Sequence, residues 1–261
     1  MALAVRVLLS LVLIFGSFEL AGAVVIPSTA SVQPPAGVAQ GLDGFYYNTG
    51  VASIAAAEAV IAGQQPTATF LSTLLDYPNL AGNIVNDSTT LAAFLGADAA
   101  SLSGSGGNTL NTSLFLFTGF IRIDPSFDTV AGGTIDVKFA LGSDDGMRLR
   151  IGEVTVAQYN GARSFGFTTG TASFAAAGYY PVEIIFWENT GSTGIEWFSS
   201  ILVDPAGQRS DAPAGTKGIV PTSVLLDPSG TTPVPEPGTL LLLGSGFVGL
   251  SGLAWRRNRR K

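Results

Sequence analysis

Short apolar runs closed by turn residues fill the chain after residue 113, and this rhythm constrains the fold more than any other feature. Residues 114–117, 120–123, 134–139, 147–151, 172–174 and 182–187 are rich in β-branched and aromatic residues and partly alternate with polar ones, as strands do. Asp124-Pro125, Gly132-Gly133, Ser143-Asp144-Asp145-Gly146, Asn160-Gly161, Ala177-Gly178 and Asn189-Thr190-Gly191 separate them, and these are residues that turn a chain. Regular short strands with such turns predict an all-β, antiparallel β-sandwich or barrel. Within 147–151 the alternation places Met147, Leu149 and Ile151 inside and the guanidiniums of Arg148 and Arg150 on the open face. One segment departs from this pattern: the Ala-rich stretch 51–62 suits a short helix or a mobile insertion.

Chemistry is narrowed by what the 261 residues lack. Cysteine and histidine are both absent, which excludes disulfides, thiolate or imidazole metal sites and every nucleophilic triad built on either residue. A metal here is held by oxygens, a preference that points to calcium over zinc or copper. Charge is uneven. From residue 24 to 237 there are 18 Asp and Glu against 7 Lys and Arg, a net of −11, which is unsuited to a phosphate backbone and argues against nucleic acid as a partner.

Both ends read as addresses. Arg6 and the apolar run 5–15 precede Ala21-Gly22-Ala23, the small residues a signal peptidase requires, so residues 1–23 read as a cleaved secretory signal, followed by an N-terminal extension at 24–40. At the other end, 238–255 is uncharged, rich in Leu and Gly and about as long as the shortest membrane-spanning helix, with Trp255 at its boundary. Arg256, Arg257, Arg259, Arg260 and Lys261 then form a basic stop that stays on the cytoplasmic side. Residues 204–233, rich in Pro, Gly, Ser and Thr, have the composition of a flexible linker. Immediately before the apolar stretch stand Pro235, Glu236 and Pro237, where two prolines keep the segment extended. The succession of Pro-Glu-Pro, short apolar helix and terminal basic cluster over 234–261 resembles the PEP-CTERM sorting signal of Gram-negative bacteria. That resemblance implies an exosortase-type transpeptidase as partner, transient anchoring by the helix, and delivery to the cell surface or extracellular matrix.

A second resemblance covers residues 41–203. Gly41-Leu42-Asp43-Gly44-Phe45-Tyr46-Tyr47, Phe117-Thr118-Gly119-Phe120-Ile121, the block from Ser143-Asp144-Asp145-Gly146 through Ile151, Ala177-Gly178-Tyr179-Tyr180-Pro181 and Phe186-Trp187-Glu188-Asn189-Thr190-Gly191 together resemble the PA-14, or protective-antigen-type, domain. The resemblance implies a β-sandwich or barrel that often binds carbohydrate. It also implies a calcium ion held by Asp144, Asp145 and Asn189, with Asn189 contacting the ligand as well. Trp187, Trp197, Phe198, Tyr159 and Tyr179 offer faces for sugar stacking, with Trp187 and Tyr159 as candidate ligand contacts; aromatics in strands are more often core. The chain departs from the family at Gly152-Glu153-Val154, where an Asp-Gly turn is usual, and by a long insertion at 51–107.

Three functions remain open at this stage. The first is a non-enzymatic surface protein whose domain binds a polysaccharide through calcium. In the second, a structural or protein-interaction module, the acidic pair serves only its turn, Gly146 adopting a positive φ and Asp144 capping backbone N–H groups. The third, a glycosidase acting through two carboxylates, is the weakest, because no acidic pair stands out by an apolar setting.

Overall fold

Alternation along each strand gives every sheet one apolar face, and two such sheets close on each other in the computed structural model, which describes residues 22–34, 39–78, 84–127, 133–201 and 209–227. In chain order the elements are β1 (Val24–Ile26), β2 (Leu42–Tyr47), α1 (Ile54–Gly63), β3 (Ala68–Ser72), β4 (Asp76–Tyr77), β5 (Val85–Asn86), α2 (Leu91–Leu95), β6 (Ser103–Gly104), β7 (Ser113–Ile123), β8 (Ile135–Asp144) and β9 (Gly146–Ile151). They continue with β10 (Val154–Tyr159), β11 (Gly166–Phe174), β12 (Gly178–Glu188), β13 (Ser192–Ser199), β14 (Gly218–Ile219) and β15 (Leu225–Leu226). One sheet has the order β1-β11-β8-β13-β14, with β4 and β5 also on β13; the other has the order β10-β9-β12-β7-β2-β3-β6, with β15 on β7. Pairing is antiparallel except between β1 and β11, which run parallel. The all-β sandwich expected from the sequence is thus the observed architecture.

The core between the sheets is aromatic. Phe115 packs on Phe117 and Phe186 with ring centroids 6.1 and 5.5 Å apart, and Tyr77 packs on Phe94 and Phe117. Met147, Leu149 and Ile151 point into it as the alternation predicts. The expectation for the opposite face is corrected. Helix α1, the element foreseen at 51–62, lies on the outer face of the second sheet, where Val51, Ile54 and Ala57 form a second apolar cluster with Phe45, Tyr47, Leu114, Leu116, Ile185 and Trp187. Arg148 is therefore buried beneath it, donating to Glu58 at 2.6 Å and Glu183 at 2.7 Å, while Arg150 stays half-exposed. Burial of a guanidinium is tolerable because two carboxylates neutralise it. At the start of the helix, Ser53 Oγ accepts from Ala56 N and Asn160 Oδ1 from Ile54 N, so two side chains satisfy N–H groups that the helix leaves unpaired.

Domain limits also shift. The insertion 51–107 supplies strands β3 to β6 as well as the helix, and extends the second sheet beyond β2. Residues 24–40 are more than an appendage, because Ile26 of β1 is fully buried. The linker expected over 204–233 is corrected for 209–227: β14 pairs with β13, β15 pairs with β7, and Val220, Val224 and Leu225 are buried. Composition misled here because a few apolar residues among Pro, Gly and Ser suffice when each lands on a sheet edge. Arg209 fixes the segment further, reaching Asp76 at 3.0 Å and Asp211 at 2.6 Å and lying over the Phe198 ring. Residues 1–21 of the leader expected at 1–23, the sorting motif, the helix 238–255 and the basic tail lie outside the described residues. Among the described residues no helix is long and apolar enough to cross a membrane.

The Gly152-Glu153 departure is a tight hairpin turn between β9 and β10, with φ of +56° and +66° at the two central residues. Positive φ at both positions is the type I′ geometry that matches strand twist, so a Gly-Glu pair does here what Asp-Gly does elsewhere.

Ending the chain after Ile201 would remove three buried apolar side chains worth about 1.5–3 kcal/mol each. Its melting temperature is expected to fall by about 10 °C or more by calorimetry. An unchanged value would show that 209–227 contributes nothing to the fold.

Candidate functional site

The Ser-Asp-Asp-Gly block is a crossover between the two sheets, not the hairpin turn its composition suggests. Strand β8 ends at Asp144, paired with Gly194 in one sheet; β9 begins at Gly146, paired with Trp187 in the other. Asp145 alone spans the gap, and the peptide joining it to Asp144 is cis. Gly146 does not have the positive φ expected of it. Its requirement is space: a Cβ there would lie 2.1 Å from Cζ2 of Trp187, whose ring covers the crossover.

Asp145 binds three segments together. Its N–H donates to the Trp187 carbonyl at 3.1 Å, and its own carbonyl accepts from Ser143 Oγ at 2.6 Å. Its carboxylate accepts from Arg163 N through Oδ1 and from Asn189 N through Oδ2, both at 2.9 Å. Asp144 is also buried; burial first, and then the Asp145 charge, push it up to about 6, with the Phe165 backbone and Arg163 pulling the other way. The loop at 160–165 thus closes one side of the acidic pair, and the loop at 189–191 closes the other.

The insertion supports the second loop. Asp87 Oδ2 accepts from Gly191 N at 2.8 Å and Asn111 Nδ2 at 2.9 Å, and Thr112 N donates to the Asn189 carbonyl. The Asn189 backbone is held from both sides, while its side-chain amide makes no hydrogen bond among the described residues.

Charge at this end of the sandwich is unbalanced. Arg163 is the nearby cation, yet it donates to the Ser143 carbonyl, Ser143 Oγ and Thr168 Oγ1 and stacks 4.2 Å from the Tyr159 ring, forming no ion pair with Asp144 or Asp145. At the same end of the sandwich lies Glu188, fully buried, with both carboxylate oxygens unpartnered among the described residues. Burial, followed by Asp145, Asp144 and Asp87, pushes it up to about 9. Glu188 is thus a single acid in an apolar setting, with no second carboxylate hydrogen-bonded to it among the described residues. The legible signal was a carboxyl ending the run Ile184-Ile185-Phe186-Trp187.

Of the residues proposed from sequence, Asp144, Asp145 and Asn189 do come together. Trp187 does not serve as a stacking face: it is 0% exposed, because its ring is sealed between Gly146 and the cluster under α1, and Trp197 and Phe198 are equally buried. Tyr159 is 37% exposed and lies at the site beneath Arg163. Arg163, Asp87 and Glu188 were missed as participants. All the donors are oxygens, which suits a hard cation, although no three His, Cys, Asp or Glu side chains among the described residues converge on one ion.

Asp144 and Glu188 hold protons more readily folded than unfolded. Stability therefore falls as pH rises from the ordinary 3.8 to about 6 for Asp144 and from 4.5 to about 9 for Glu188. Glu196, raised to about 7 by burial and then Asp76, adds to the lower part of that window. With divalent cations chelated, the melting temperature should decline from about pH 5 to about pH 9, and Glu188→Gln should flatten the decline above about pH 7. A flat wild-type profile contradicts the assignment.

No curated protein matches the sequence of the chain. Residues 233–260 match the model of the PEP-CTERM protein-sorting motif. The structure is similar to the crystal structure of the PA14 domain of the MpAFP antifreeze protein, at 21% identity and a TM-score of 0.58 over 77% of this chain and 97% of that one. It is also similar to a PA14 sugar-binding domain from an RTX adhesin, at 24% identity and a TM-score of 0.56 over 72% of this chain and 98% of that one. The chain therefore has the fold of a PA14 domain and carries, at residues 233–260, a PEP-CTERM sorting motif.

Proposed function

We propose that the protein is a non-enzymatic, exported surface or matrix component whose domain binds carbohydrate with the help of calcium at Asp144, Asp145 and Asn189. The carrying observation is the buried acidic crossover, whose nearby guanidinium is committed to neutral oxygens. Two carboxylates and a free amide are a partial calcium shell, which needs six to eight oxygens and can take sugar hydroxyls among them. Tyr159 and Arg163, at the exposed rim, are placed to meet the ligand. Support also comes from the similarity to a domain described as sugar-binding, and from the sorting motif, which implies exosortase processing and a surface destination. A signal peptide at 1–23 and removal of the 238–255 helix belong to the same reading.

A second reading draws on Asp145 itself. Its carboxylate already ties two loops, so the acidic pair would serve architecture alone in a structural module. The two readings separate at Asp144. Calcium at 100 times its Kd should stabilise the full chain by about 2.7 kcal/mol, seen as a higher melting temperature. Asp144→Asn should leave the chelated protein at least as stable as the wild type while abolishing that rise and calcium-dependent retention on a glycan array. If calcium shifts nothing in the wild type, or shifts Asp144→Asn equally, the calcium reading fails.

A further inference from the structure

Behind the acidic crossover, three inward-facing side chains have oxygens that find no partner. Among the described residues Glu188 Oε1 and Oε2, Ser113 Oγ and Thr193 Oγ1 are all buried without a hydrogen bond, and all three residues are 0% exposed. Ser113 and Glu188 are direct cross-strand partners on β7 and β12. Both lie in the inward register, two residues before Phe115 and two after Phe186 of the core; Thr193 is likewise two residues before Ile195. Glu188 and Thr193 flank the 189–191 loop by which the chain passes from one sheet to the other, so the three residues share one end of the sandwich interior.

Chance packing is a poor account of this group. A buried carboxylate without a partner is costly, and buried hydroxyls are normally bonded. The hydroxyls are not the carboxylate's donors, since no hydrogen bond joins them. Asp87, Asp144 and Asp145 make the surroundings still more negative, and no ion pair reaches Glu188 among the described residues. A carboxylate and two hydroxyls form an all-oxygen donor set, the kind that hard cations prefer over softer metals.

We propose that Glu188, Ser113 and Thr193 form an interior site for a calcium-class cation, separate from the one assigned to Asp144, Asp145 and Asn189. An ion there lies among fully buried side chains, so it stabilises the core and exchanges slowly, whereas an ion at Asp144, Asp145 and Asn189, bordered by the half-buried Asn189 and Arg163, exchanges faster and meets ligand. This inference does not depend on the surface reading.

The test is the calcium retained by the purified full chain after desalting into metal-free buffer, measured by elemental analysis beside a calcium titration. The wild type should retain one equivalent, as should Asp144→Asn. Glu188→Gln should retain none, and the isosteric Thr193→Val should weaken retention about tenfold or more. Thr193→Val also serves if Glu188→Gln does not fold. Retention unchanged in both variants, or no retained calcium in the wild type, overturns the interior site. In the latter case an exchangeable calcium lost in Asp144→Asn would leave the surface reading standing. Retention in the wild type without any exchangeable calcium would do the reverse.

Discussion

Asp145 holds the working end of this molecule together. One residue carries the chain from the first sheet to the second, and its amide, carbonyl and carboxylate are all bonded, the carboxylate to two loops at once. Such a residue must be short, acidic and buried: short to fit the gap, and acidic to accept two backbone N–H groups at once. Burial first, and then the Asp145 charge, raise the neighbouring Asp144 and Glu188. The architecture at the crossover therefore creates the electrostatics of the candidate site, and the two cannot be altered independently.

The insertion between the first strand and the main strand series belongs to this design. Its helix covers the outer face of the second sheet, buries Arg148 and closes over Trp187, which in turn packs on Gly146. Its later part supplies Asp87, which fixes the loop bearing Asn189. Asn160 links the two halves, since it caps the helix and begins the loop that presents Arg163 and Phe165 to the acidic pair. A segment readable from sequence only as a helix or a loose insertion is thus built into both walls of the site.

Much of the strand framework was legible. The runs at 147–151 and 182–187 fall inside single strands, because alternation and turn residues are local signals. The two runs at 114–117 and 120–123 proved to be one strand, with Gly119 tucked against Leu226 and Leu42. Strands β10 and β13 were less visible, since polar and small residues such as Thr155, Gln158, Ser192 and Gly194 hide the pattern. Of the candidate site residues named from motifs, Asp144, Asp145 and Asn189 lie together in the fold. Arg163 and Asp87 were not legible, because they reach the site through contacts 18 and 104 residues distant in sequence.

The sequence by itself determined that the chain is a Cys-free, His-free β protein with a sorting motif at 233–260, because composition, alternation and motif order are properties of neighbouring residues. Only the tertiary structure decided which aromatics face solvent, why Gly146 is glycine, and that 209–227 belongs to the fold. It also decided that Glu188 is sealed among other carboxylates. Burial and charge proximity depend on which segments meet across two sheets, and no local pattern encodes that meeting.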